Sequence, residues 1–81
     1  MAILNITWNG VSADTEVNFD MRASDVDVKR VAVELLRSGA VPGMHLRALP
    51  ANAFDNFVVD RFDTAEGGQR LFLRPKVPFG G

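Results

Sequence analysis

Across 81 residues this chain has one histidine, His45, and neither cysteine nor tyrosine. That removes a thiolate nucleophile, a thioester-forming cysteine, a disulfide framework and a Cys-ligated zinc site. One histidine forms no metal cluster, and His45, between Met44 and Arg47, reads as a solvent-facing strand residue. Asp25, Asp27 and Glu34 could be drawn as a metal site on a helix. Residues two apart on a helix do not share a face, however, so Asp25 and Asp27 read as helix-capping residues. Ser, Asp and Glu without a usable His make no nucleophile–base pair. The chain is expected not to be an enzyme and to carry no cofactor or metal of its own. Two glycine pairs remain. Gly67-Gly68 reads as a flexible turn, whereas Gly80-Gly81 closes the sequence after a proline-containing stretch.

The elements that must position these residues are legible in the spacing. Ile3–Trp8 alternates as a strand with Leu4, Ile6 and Trp8 on one face. Asn9-Gly10 then favours the positive φ angles of a type I′ hairpin turn. A second run places Thr15, Val17, Phe19 and Met21 on one face; it becomes regular only at Thr15, so the loop is expected to extend through Ala13-Asp14. Ser24 reads as a helix N-cap with Asp27 in capping-box position. Val28, Val31, Ala32, Leu35 and Leu36 form an apolar stripe, and Gly39 and Pro42 end the helix. The spacing therefore predicts a helix over 25–38. Strands are expected at Met44–Leu49, Phe57–Phe62 and Gln69–Arg74, with a turn at Asp63–Gly68. The expected core is Leu4, Ile6, Val17, Phe19, Val28, Val31 or Ala32, Leu35, Leu71 and Leu73.

The order β-β-α-β-β-β is that of a small α+β domain, a mixed four- to five-stranded sheet with one helix across one face. Residues 1–74 are expected to form the domain and 75–81 an extended tail. With 47% apolar and 23% charged residues the composition is that of an ordered globular chain. Nine Lys and Arg against ten Asp and Glu, without a basic run, argue against nucleic acid and membrane surfaces as partners. No apolar run approaches the ~20 residues of a membrane span. A monomer in the cytoplasm is the expectation.

Four features resemble the ubiquitin family and its β-grasp relatives, over nearly the whole chain. They are the N-terminal hairpin, the helix start Ser24-Asp25-Val26-Asp27-Val28-Lys29, the helix exit Gly39-Ala40-Val41-Pro42-Gly43, and the last strand running into Gly80-Gly81. The resemblance implies a protein modifier whose terminal glycine carboxylate is adenylated by a partner activating enzyme and passed to an acceptor. Gly81 and Gly80 would be the activated residues. ATP and magnesium would belong to the partner, and a conjugating enzyme or a sulfur donor would follow. Lys76, Val77, Pro78 and Phe79 would be the tail that the partner reads.

The approach to the diglycine departs from ubiquitin's Arg-rich one. Its prolines are closer to the small subunit of molybdopterin synthase and other sulfur carriers, which form a C-terminal thiocarboxylate. That is the alternative reading, and a non-conjugated interaction module is a further one. Phe79 fits neither pattern; beside the terminus it is out of reach of the core and suggests a pocket on a partner. Phe72, Leu46 and Leu49, on sheet strands, are candidates for an apolar docking patch like that of the ubiquitin sheet.

Overall fold

The computed structural model describes residues 2–18 and 23–76. Expectations for Phe19 and Met21, and for Val77, Pro78, Phe79, Gly80 and Gly81, lie outside the described residues.

Strand β1 (Ala2–Trp8) turns through Asn9 and Gly10 into β2 (Val11–Val17). Asn9 and Gly10 have φ 49° and 79°, as a type I′ turn requires, and pairing begins at Trp8↔Val11. The loop expected through Ala13-Asp14 does not exist. The two-residue turn fixes the register at once, and Ser12 and Asp14 satisfy their polar groups on Thr7 (2.8 Å) and Asn5 (2.9 Å) across the strand pair.

Helix α1 (Asp25–Ser38) has the bounds its sequence predicts. Ser24 Oγ accepts from the Asp27 N–H and the Asp27 carboxylate accepts from the Ser24 N–H, so the box closes with Asp in place of the usual Glu. At the other end Gly39 adopts the left-handed conformation, φ 78°. The buried helix face is Val28, Ala32, Val33 and Leu36, whereas Val31 and Leu35 are half-buried. The predicted stripe is thus rotated toward Val33, and Leu35 sits at its margin instead of in the core. Arg61 contributes to that placement: its Nη2 donates to the Ala23 carbonyl and to Asp25 Oδ1, both at 2.8 Å, tying the start of the helix to the sheet.

Strands β3 (Phe57–Asp63) and β4 (Gln69–Pro75) complete one mixed sheet in the order β2-β1-β4-β3. The central pair β1–β4 is parallel and the outer pairs are antiparallel. One helix and four strands make a small α+β fold of order β-β-α-β-β. On the helix side, Leu4, Ile6, Leu71 and Leu73 are fully buried.

The strand expected at Met44–Leu49 does not form. Among the described residues only a single bridge, Val41↔Met44, closes around Pro42 and Gly43 (φ 78°). From there the chain advances by successive turns, and its polar groups bond to the helix end instead of to a sheet edge. The Leu46 N–H donates to the Leu36 carbonyl (2.9 Å), Arg37 Nε donates to the Leu49 carbonyl (2.6 Å), and His45 Nε2 lies 3.1 Å from the Arg37 carbonyl. The connection nevertheless supplies core: Val41, Met44, Leu49 and Phe54 are all buried. His45 is exposed, but on this loop and not on a strand, with its ring against Gly39.

Candidate functional site: the exit of the last strand and two flanking surfaces

Three features are built around β4 and the connection that precedes β3. The first is the exit itself. Pro75 pairs with Phe57, and the Lys76 N–H still donates to the Asn56 carbonyl (3.2 Å). Lys76 is therefore held against the body. An aromatic cluster stands there. Phe57 stacks on Trp8 with centroids 5.9 Å apart, and Phe54 meets both edge-on at 4.8 and 5.6 Å. Edge-to-face and offset-stacked rings at these spacings fix one another's orientation, so the exit is built on a rigid corner.

The second feature is the sheet face opposite the helix. Alternation along β1, β4 and β3 turns Ile3, Asn5, Thr7, Arg70, Phe72, Arg74, Val58, Asp60 and Phe62 to this side. Phe62 and Phe72 contact edge to face at 5.6 Å, the Arg70 guanidinium lies 5.8 Å from the Phe72 centroid, and Phe62 is 56% exposed. Arg74 is paired with Asp60 at 2.6 Å and Arg70 with Asp14 at 3.5 Å. The face is an aromatic patch ringed by charges that already neutralise one another.

The third feature is a groove of about 580 Å³ between Trp8 and the connection, lined by His45, Leu46, Arg47, Ala48, Leu49 and Pro50. A smaller depression of about 240 Å³ shares Trp8, His45 and Leu46 and extends it toward Val11 and Gly43.

The residues grouped from sequence as one docking patch are thus divided. Phe72 belongs to the open sheet face. Leu46 is half-buried at the groove, and Leu49 is 5% exposed with its side chain in the core. The partner that sequence reasoning missed for Phe72 is Phe62. Its signal was the alternation in β3, which becomes readable only when β3 is registered against β4 through Phe62↔Arg70.

Asp25 and Asp27 act as caps and ion-pair partners. Asp27 binds the helix start and lies 3.8 Å from Arg30, and Asp25 pairs with Arg61. Among the described residues no cluster of three or more His, Asp or Glu could hold a metal ion, and no helix is long and apolar enough to cross a membrane. No family model, curated protein or solved structure matches this chain.

Proposed function

We propose that this chain is a ubiquitin-like modifier of the β-grasp class, acting through the carboxylate of Gly81. A carboxylate oxygen of Gly81 attacks the α-phosphate of ATP on a partner activating enzyme, an acyl–phosphate bond forms, and pyrophosphate leaves. A nucleophile then attacks the Gly81 carbonyl and AMP leaves, giving a thioester with the partner and finally an isopeptide with a lysine amine. The chemistry asks nothing of this protein's side chains, which fits a sequence without cysteine or tyrosine. Supporting the reading above all is the placement of β4. It is a central strand, parallel to β1, and it hands the chain off at Lys76 beside a rigid aromatic corner. Five further residues, extended, span about 17 Å, so the body would dock outside a partner while glycine passes its narrow entrance. The open face around Phe62 and Phe72 is the docking surface in this reading, and Lys29 and Lys76 are the only lysines for linking copies to each other.

The proline-containing approach Lys76-Val77-Pro78-Phe79 favours a second reading, in which the adenylate is attacked by a sulfur donor to leave a thiocarboxylate. Mass spectrometry of the protein isolated from its native host tests both. Tryptic cleavage after Lys76 leaves a Val-Pro-Phe-Gly-Gly remnant on target lysines if the chain is conjugated. A sulfur-for-oxygen mass change at Gly81 marks the carrier. A native chain with an unmodified terminus and no remnant anywhere leaves the interaction module.

A further inference from the structure

We infer that the groove beside Trp8 is a docking site for an acidic peptide segment of a partner protein. The segment sets a large apolar side chain against Trp8 and a carboxylate against Arg47. This goes beyond the chemistry at Gly81 and does not depend on it.

Charge selects the occupant. Arg30, Arg37, Arg61, Arg70 and Arg74 each lie within 3.8 Å of a carboxylate of this chain. Arg47 is the exception: it is exposed on the groove wall, and no hydrogen bond or ion pair of its side chain occurs among the described residues. The imbalance is local, because the whole chain has a net charge of −1. Two other depressions carry acids of their own, Glu16 and Glu66 in one and Asp55 in the other. Among the described residues no carboxylate lines the Trp8 groove or its extension toward Val11 and Gly43. A guanidinium left unpaired at the edge of an apolar surface is complemented by a carboxylate brought from outside.

Shape sets the form of that ligand. Trp8, Leu46, Leu49 and Pro50 offer an apolar floor, and about 580 Å³ is ample for one large side chain and its neighbours. The floor is held in place before anything binds. Trp8 is stacked on Phe57 and met edge-on by Phe54, and the Leu49 N–H donates to the Leu46 carbonyl (3.2 Å) across a turn with Arg47 and Ala48 at its tip. Such preorganisation lowers the cost of binding. Floor and guanidinium belong to the same four-residue turn, so the carboxylate belongs within two residues of the anchor, about 7 Å along an extended peptide. The smaller depression continues past Trp8 and His45, which gives an extended segment a path along the surface.

Trp8 is the sole tryptophan, so the groove reports on itself. The test titrates the full chain, followed by NMR, with capped hexapeptides that carry Phe, Trp or Leu as anchor and two Asp residues one or two positions away. Matched peptides carry Lys in place of Asp, or Ala in place of the anchor. No activating enzyme is involved, so the result is independent of whether Gly81 is ever adenylated. Expected are saturable shifts of the Trp8 indole and the 45–50 amides with the acidic peptides, and weaker binding of both matched sets. Arg47→Glu should weaken the acidic peptides about two- to fivefold and strengthen the lysine peptides by a similar factor, the range of an exposed ion pair. A merely structural role for Arg47 would not produce that exchange of preference. No saturable shift with any acidic peptide at about 1 mM overturns the inference. Equal binding of the Asp and Lys peptides, or shifts centred on Phe62 and Phe72 instead of Trp8, overturn it as well.

Discussion

The two faces of this sheet are built from alternate residues of the same strands, yet they are different materials. Toward the helix, Leu4, Ile6, Leu71 and Leu73 are fully buried and meet Val28, Ala32 and Leu36. Away from it, Phe62 is exposed and Phe72 half-buried within a ring of paired charges, Arg74–Asp60 and Arg70–Asp14. Surface ion pairs of this kind contribute about 0–1 kcal/mol each, whereas burying one leucine side chain contributes about 1.5–3 kcal/mol. Stability therefore belongs to one face, and the other is free to carry recognition.

The sharpest way to break that contrast is to cut into the buried face. Leu36→Ala is expected to cost about 2–5 kcal/mol, measured by chemical denaturation. Leu35→Ala, one residue earlier and half-buried, should cost distinctly less. Equal losses would mean that the helix is turned differently against the sheet.

Gly39→Ala comes next. It places an L-residue at φ +78° with its Cβ 3.4 Å from the His45 ring, and is expected to cost about 1–2 kcal/mol. Ser24→Ala removes the cap that serves the Asp27 N–H, at about 1 kcal/mol. A loss near zero there would show that the tie from Arg61 on the sheet alone holds the helix start.

These two positions were readable from the chain because capping is local: Ser24, Asp27 and Gly39 need only their neighbours. Asn9-Gly10 was readable for the same reason. Val33, Phe54 and the fate of Met44–Leu49 were not. Phe54 lies in Asn52-Ala53-Phe54-Asp55-Asn56, which reads as a polar turn, and only its distance to Trp8 and Phe57 makes it core. Met44–Leu49 has strand-like residues, but the carbonyls of Leu36 and Arg37 bind it locally, and no pattern of apolar residues announces that competition. Phe72, Leu46 and Leu49 could not be sorted onto faces from sequence because faces cannot be assigned before register, and register came from a parallel pairing between chain ends, Leu4↔Leu71.

The smallest expected effects on stability lie on the open face. Phe62→Ser should change the unfolding free energy by about 0.5 kcal/mol or less, as exposed substitutions do, while weakening capture of the activating enzyme that the proposed function requires. Arg74→Ala should cost no more than about 1 kcal/mol, and less in high salt. A large loss from either would move that face into the core's account and remove it as a docking surface.

The central claim is that the reactive group is the Gly81 carboxylate and that the folded body serves only to deliver it. It is tested most directly by ATP–pyrophosphate exchange in an extract of the native host, using the full chain and a chain lacking Gly80 and Gly81. The account predicts exchange that depends on the full chain and vanishes with the two glycines, while the shortened protein unfolds at the same temperature. Equal exchange from both chains, or none from either, would contradict it.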